Sequence, residues 1–249
     1  MRFVNTPFFV NLATLVVVAT LFSSIQALAQ DVVPTTWQSE VEFGFITNSG
    51  NTNTETINGK ATTLNERTYW RNRATLEAMH SQDATNTTGE AYSASAKSKF
   101  KVDNRQYFFG LIKYESDRFS GYDYRSSGIV GYGQRVVAKE GITLDLEAGP
   151  GTRQSKPEDE QVDHKKVAWL NGDFIWNIDK DTLLTEDIGA EISSSGNSAN
   201  VFSSATSFKH RLNGSLAIKL SYALQHTSKV PDGVVKSDRK STITLAYSF

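Results

Sequence analysis

Ile243, Leu245, Tyr247 and Phe249 share one face of an extended chain, while Lys240, Thr242, Thr244 and Ser248 share the other. Leu216, Ile218, Leu220, Tyr222 and Leu224 alternate in the same way with Ala217, Lys219, Ser221, Ala223 and Gln225. Near the other end, Trp37, Val41, Phe43 and Phe45 alternate with Gln38, Glu40, Glu42 and Gly44. Successive side chains of a strand point to opposite faces, so a period of two marks strands with one apolar and one polar side. No helical spacing fits these windows.

Carried along the chain, the alternation predicts about twelve strands, near 37–48, 54–65, 67–82, 90–101, 105–116, 124–137, 142–153, 165–178, 182–193, 200–211, 215–227 and 238–249. Most are 11–15 residues long, which suits a tilted membrane crossing better than an ordinary globular strand of about 5–6 residues. The stretch 54–65 alternates poorly, so ten or fourteen strands stay open. The fold class is all-β: a single transmembrane, antiparallel, up-and-down barrel with both termini periplasmic.

The connections support this. Short ones fall at Glu66, Val102–Asn104, Ala138–Gly141, Asp179–Asp181 and Leu212–Gly214. Longer or polar ones fall at Ser49–Asn53, Asp83–Gly89, Asp117–Asp123, Gln154–His164, Ser194–Ala199 and Ser228–Ser237. Tight periplasmic turns and larger external loops are what an outer-membrane barrel requires. Aromatic residues fall at strand ends: Trp37, Trp70, Phe100, Phe108, Trp176, Tyr247 and Phe249 at one rim, and Tyr92, Tyr114, Tyr124 and Phe202 at the other. Two such girdles match the two membrane interfaces.

Residues 1–29 read as a signal peptide: Arg2, an apolar stretch from Phe8 to Phe22, and Ala27-Leu28-Ala29 as the cleavage pattern before Gln30. The expected domains are therefore the signal peptide, 1–29, and the barrel, 30–249. The location this predicts is the outer membrane of a Gram-negative bacterium, among outer-membrane lipids and lipopolysaccharide. The balance of 26 Lys+Arg against 27 Asp+Glu argues against a nucleic-acid partner, and the absence of cysteine excludes disulfides and thiol chemistry. Oligomeric state is not legible.

Trp37 through Gly50-Asn51-Thr52, the segment Tyr114-Glu115-Ser116-Asp117-Arg118-Phe119-Ser120-Gly121-Tyr122-Asp123-Tyr124-Arg125, and Leu146-Glu147-Ala148-Gly149-Pro150-Gly151-Thr152-Arg153 resemble one family. It is the family of salt-induced outer membrane proteins, domain of unknown function 481. The resemblance covers most of the chain after the leader and implies an outer-membrane β-barrel. It supplies no catalytic residues. The closing Tyr247-Ser248-Phe249 resembles the terminal signal of outer-membrane barrels, which implies the barrel-assembly machinery as a partner during insertion and Tyr247 and Phe249 as the assembly signal.

Chemistry is sparse. The four histidines, His80, His164, His210 and His226, show no metal-ligand spacing, and neither metal nor cofactor is expected. His226 and Ser228 share a strand face and could form a base–hydroxyl pair, as in outer-membrane phospholipases. Those enzymes follow the serine with an orienting asparagine, which this chain lacks. A polar strand end is the plainer account, and no catalytic activity is expected. Gly128, Gly131, Gly133, Gly149 and Gly151 lie in strand alternation rather than before a helix, so close approach or bends explain them better than a phosphate loop. Ser49-Gly50-Asn51-Thr52 and Ser195-Gly196-Asn197-Ser198 read as turn chemistry. Glu158-Asp159-Glu160 with Asp163 reads as a solvated loop before a divalent-cation site.

Charges inside strands should face the lumen, because a lipid-facing Arg or Lys near mid-bilayer costs about 2–4 kcal/mol. Parity assigns Arg71, Arg73, Glu77, Lys97, Lys99, Lys113, Glu115, Arg125, Arg135, Asp145, Glu147, Asp173, Asp187, Glu191 and Lys219 inward. Two outcomes follow: a narrow channel for small polar or charged solutes, or a structural, stress-related surface barrel whose side chains fill the lumen. A lipid-acting hydrolase is a third, weaker option. Arg71, Arg73, Lys97 and Lys99 on the third and fourth strands should face Asp145, Glu147, Asp173, Asp187 and Glu191 on the seventh to ninth.

Overall fold

Among the described residues, twelve strands follow one another: β1 (Thr36–Asn48), β2 (Thr54–Glu66), β3 (Trp70–Asp83), β4 (Asn86–Lys101), β5 (Gln106–Asp117), β6 (Tyr122–Lys139), β7 (Ile142–Pro157), β8 (Asp163–Asn177), β9 (Thr182–Ser193), β10 (Val201–Arg211), β11 (Leu216–Thr227) and β12 (Ser237–Ser248). Each pairs antiparallel with its sequence neighbours, and β1 with β12, so the computed structural model is a closed up-and-down barrel. It describes residues 36–48, 54–83, 86–157, 161–195, 198–230 and 233–249. The expected signal peptide, the Ser49–Asn53 connection, Gly196-Asn197 and the Glu158-Asp159-Glu160 run lie outside these.

The poorly alternating stretch at 54–65 is β2, paired with both neighbours along its length. Its small Gly59 and Ala61 sit opposite Phe43 and Val41, which carry the apolar surface at that point. Two connections are tighter than their polarity suggests. Most of Asp83–Gly89 is strand, since Asn86, Thr87 and Gly89 pair with Asp83, Gln82 and Ser81. The Asp117–Asp123 connection is a compact hairpin in which the Asp117 carboxylate accepts the Phe119 N–H at 2.9 Å and Gly121 takes a φ of 74°. Only glycine adopts that angle without steric cost.

Three turns at the opposite end share one construction. In Val102-Asp103, Ile178-Asp179 and Leu212-Asn213, the apolar residue's N–H donates to the carbonyl of Gln106, Thr182 and Leu216 respectively. The Asx side chain then accepts following backbone N–H groups: Arg105 and Gln106 at Asp103, Asp181 at Asp179, Ser215 and Leu216 at Asn213. Each turn is closed by its own residues, and the carbonyls of Arg105, Asp181 and Ser215 also accept N–H groups of Arg135, Arg211 and Ser248 on the adjacent strands.

The apolar residues of the alternation cover the outside. Trp37, Val41, Phe43, Phe45, Phe108, Ile112, Ile243, Leu245 and Tyr247 are all exposed. Aromatic contacts sit at both rims, with Trp70 on Phe100 at the short-turn end and Tyr114 stacked on Tyr124 at the other.

Candidate functional site: the barrel interior

Contacts between strands that are not neighbours can only run through the inside of a closed barrel, and they identify its inner face. Lys97 on β4 bonds to Glu147 on β7, and Lys99 reaches the same carboxylate at 3.0 Å and Asp145 at 3.6 Å. Lys113 on β5 reaches Glu191 on β9 at 3.3 Å, and Arg153 on β7 reaches it at 3.7 Å. Lys219 on β11 pairs with Glu42 on β1 at 2.8 Å, and Lys209 on β10 pairs with Glu40. Arg125 on β6 pairs with Glu115 at 2.6 Å and also reaches the Thr227 hydroxyl on β11 at 3.5 Å, spanning nearly the full width of the barrel.

The wall between Lys97/Lys99 and Glu147 is an aromatic shelf. Tyr107 and Phe109 on β5 point inward and are 6% and 4% exposed, with Leu111, Ile129 and Trp169 completing an apolar cluster. Their cross-strand partners on β6 are Gly133 and Gly131. A Cβ on Gly133 would stand 2.3 Å from the Tyr107 ring, and one on Gly131 would stand 2.7 Å from the Phe109 ring. The glycines are recesses into which the rings lie. Lys99 then crosses the Tyr107 face at 4.3 Å and Lys97 crosses the Phe109 face at 5.2 Å, which combines cation–π contact with reach to the carboxylates. The Tyr107 hydroxyl closes the set by donating to Glu147 at 2.9 Å.

This explains the segment from Leu146 to Arg153. Glu147 points inward to Lys97 and Lys99 and Arg153 points inward to Glu191, and Gly149 and Gly151 lie between them on the same face. A Cβ at Gly149 would stand 2.1 Å from the Val130 carbonyl, so the two backbones approach as only glycine allows. Sequence reasoning left the inward aromatics unassigned, although Phe109 has the parity of Lys113 and Phe108 has the opposite one.

The remaining parity assignments fall as follows. Arg71 pairs with Glu66 at 3.0 Å, Glu77 with Lys60 at 2.6 Å, and Arg135 forks onto Asp145 at 2.7 and 3.1 Å. Asp173 stands in register between Asp145 and Asp187, and Asp187 accepts the Asn171 amide at 3.1 Å. Arg73 shares the face of Arg71 and Glu77; among the described residues neither it nor Asp173 has an ion-pair partner. Four members of the two supposedly opposed walls therefore meet directly. Lys97 and Lys99 close on Asp145 and Glu147, because long lysine stems span two strands.

Glu55, Glu90, Lys166 and Arg239 have outward parity toward the long-loop end, and one charge nearer mid-strand also departs from the rule that such charges face inward. Glu186 has the opposite parity to Asp187 and Glu191, and it is held on the outer face by the hydroxyls of Ser204 at 2.7 Å and of Thr206. Those bonds satisfy the carboxylate where lipid would not.

Across β9 to β12 two rows of the inner wall carry mostly short side chains, beside the row of Lys209 and Lys219. Thr185, Ser207, Ser221 and Thr242 form one register row, and Asp187, Ala205, Ala223 and Lys240 form the next. At the short-turn mouth, Arg71, Lys99, Lys101, Arg105 and Arg135 crowd around Glu66, Asp103 and Asp145 in a pocket of about 620 Å³ that includes open solvent. The Asp103 carboxyl is held below its usual range by the backbone N–H groups of Arg105 and Gln106, and Asp179 is lowered in the same way by Asp181.

His226 and Ser228 are engaged separately. The His226 ring bonds to Ser237 at 2.8 Å, and Ser228 accepts the Asn200 N–H at 2.8 Å. Among the described residues, no three acidic or histidine side chains gather as a metal site.

The family model described as a protein of unknown function, DUF481, matches residues 41–249. A relative, the uncharacterized protein YdiY of Escherichia coli (strain K12), is 23% identical over 245 residues, which cover 92% of this chain and 93% of the relative. The solved NanC porin aligns over 85% of this chain and 98% of its own, at 10% identity and a TM-score of 0.52. An outer membrane channel from Pseudomonas putida F1 aligns over 88% and 97%, at 10% identity and a TM-score of 0.50. Both likenesses are of fold.

Proposed function

The chain belongs to the DUF481 family, described as of unknown function, and we propose that it is a non-enzymatic outer-membrane barrel conducting small polar or charged solutes through a narrow, off-centre passage. The observation that carries this is the asymmetry of the interior. The β4–β8 side is filled by the aromatic shelf and its ion pairs, whereas the β9–β12 side has two adjoining rows rich in hydroxyls and alanines, bordered by Lys209 and Lys219. Short polar side chains leave a wettable space along that wall. The fold relatives named as a porin and an outer membrane channel support the same reading. The girdles of exposed aromatics, the short-turn and long-loop ends, and Tyr247 and Phe249 as an assembly signal support insertion in the outer membrane of a Gram-negative bacterium, short turns inward, among lipids and lipopolysaccharide.

The passage is gated in width by Arg125, whose guanidinium bridges β6 to β11. The refolded protein in planar bilayers should give small discrete conductance steps, and Arg125→Ala should enlarge them. A silent bilayer with properly folded wild type and Arg125→Ala protein would overturn the channel. It would favour a structural surface barrel, a reading for which the Lys97/Lys99–Glu147 closure is the specific support.

A further inference from the structure

Eleven of the twelve strand junctions are registered over ten to fourteen residue pairs; the junction of β1 with β12 is registered over four, from Glu40↔Ser248 to Phe43↔Leu245. Reciprocal backbone bonds of 2.9 Å between Ser39 and Phe249 secure its lower end. Both strands continue upward, β1 to Asn48 and β12 back to Ser237, and the register would set Phe45 against Ile243. They diverge instead. The Ile243 carbonyl lies 2.8 Å from where an inward Cβ on Gly44 would stand. Lys240 passes β1 and β2 to come within 4.0 Å of Glu77 on β3. The upper half of β12 therefore leans into the lumen, with Gly44 at the fork.

Alternation from the Ser39–Phe249 pair turns the backbone N–H and C=O of Phe45 and Thr47 toward the space that β12 leaves. An open strand edge cannot face hydrocarbon unsatisfied, so something must occupy that space in a membrane. Its chemistry is set by the two sides of the gap. Outside stand Phe43, Phe45, Ile243 and Leu245, all exposed and apolar. Inside, Lys60 and Lys240 both approach the Glu77 carboxylate, so two ammonium groups share one carboxylate at the gap.

We infer that the β1–β12 gap is a lateral portal for a single-chain anionic amphiphile drawn from the membrane. Its head group lies between Lys60 and Lys240 and takes the free N–H groups of the β1 edge, and its hydrocarbon chain leaves the barrel past Phe45 and Ile243. The portal requires insertion in a membrane but not conduction along the axis, so a silent bilayer and an empty portal are separate results.

The chain has no cysteine, so an engineered pair contains its only thiols. Phe45→Cys/Ile243→Cys should oxidise at least tenfold more slowly than the paired control Phe43→Cys/Leu245→Cys. By native mass spectrometry in neutral detergent, the wild-type barrel should retain one dodecyl phosphate and no dodecyl maltoside. Laurate in a parallel arm tells recognition of charge alone, where it is retained equally, from recognition of phosphate, where it is not. Driving the Phe45→Cys/Ile243→Cys pair to the disulfide should abolish retention, and reduction should restore it in the same molecules. Lys60→Gln/Lys240→Gln should weaken retention at least tenfold. Equal oxidation rates for the two pairs, or undiminished retention by the oxidised barrel or by the double lysine variant, would overturn the portal.

Discussion

Lys99 on β4 and Glu147 on β7 sit 3.0 Å apart across the two strands that separate them. They meet because the intervening strands offer rings lying in glycine recesses, which gives the lysine stem an apolar surface to cross. The carboxylate side chain is 0% exposed, and Lys97 joins it from the same strand as Lys99. Neither cation has another carboxylate close enough to replace it except Asp145, which Arg135 already holds.

Glu147→Gln should therefore strand two ammonium groups inside the barrel and cost about 3–5 kcal/mol, the range for breaking a buried pair. The midpoint of heat-modified mobility on a gel would fall accordingly. Replacing all three, as Lys97→Met/Lys99→Met/Glu147→Leu, should recover most of the loss, since an apolar set has no charge to desolvate. A triple variant no more stable than Glu147→Gln would show that the ion pairs themselves hold the fold.

At Gly133 the prediction concerns shape rather than charge. A Cβ there would stand 2.3 Å and 2.4 Å from two atoms of the Tyr107 ring. Gly133→Val must push the ring out of its recess and away from Glu147, at about 1–3 kcal/mol for an overpacked site. Adding Tyr107→Ala vacates the space, so the double variant should be less destabilised than the two single effects together. Strict additivity in the same thermal assay would mean that the ring does not depend on the recess.

The sequence carries the strands, the inner and outer faces and the end at which the turns are short, because all of these are local: a period of two, Asx turns, rings at strand ends. Even β2, with its weak alternation, is placed by its neighbours on both sides. What could not be read is which inward residues meet. Lys97 and Glu147 are 50 positions apart, and their contact depends on how the closed sheet brings β4 opposite β7. Phe108 and Phe109 differ only in parity, so the shelf was legible in principle and hidden by treating aromatics as rim residues. Glu186 escaped for the converse reason, since its lipid-side hydroxyl partners come from another strand. The unzipped upper half of the β1–β12 seam has no local signature at all.

Acid should loosen two of the three shared turns and spare the third. The Asp103 carboxyl titrates below its unfolded value because Arg105 and Gln106 donate backbone N–H groups to its charged form. A lowered folded pKa stabilises above the unfolded value of about 3.9 and loses that contribution as pH falls through the folded value. Amide exchange at Arg105 and Gln106, and at Asp181 beside Asp179, should thus accelerate as the pH drops below about 4, corrected for intrinsic rates. Ser215 and Leu216 bond instead to Asn213, which does not titrate. Parallel changes in all three turns would assign the effect to global acid unfolding.

Charge selectivity should follow the residues that the ion pairs leave over. Arg73 has no charged partner among the described residues, and across the barrel Asp173 has none either, while Asp187 is bonded only to an amide. Arg73 lies on β3 and Asp187 on β9, six strands apart in a ring of twelve; both strands rise from the short-turn end, Arg73 near the start of its own and Asp187 midway along its own. Unpaired charges on opposite walls set a field across a narrow lumen that the paired lysines and carboxylates largely cancel in themselves. Asp187 also borders the Ala205–Ala223 stretch of the proposed passage and so stands beside the solute path. Arg73→Gln should shift the reversal potential in a salt gradient toward cation selectivity, and Asp173→Asn/Asp187→Asn should shift it toward anions. Lys97→Gln, whose charge is already neutralised by Glu147, should move it much less while lowering thermal stability. A larger shift from Lys97→Gln than from Arg73→Gln would place the solute path along the aromatic shelf instead of the hydroxyl wall.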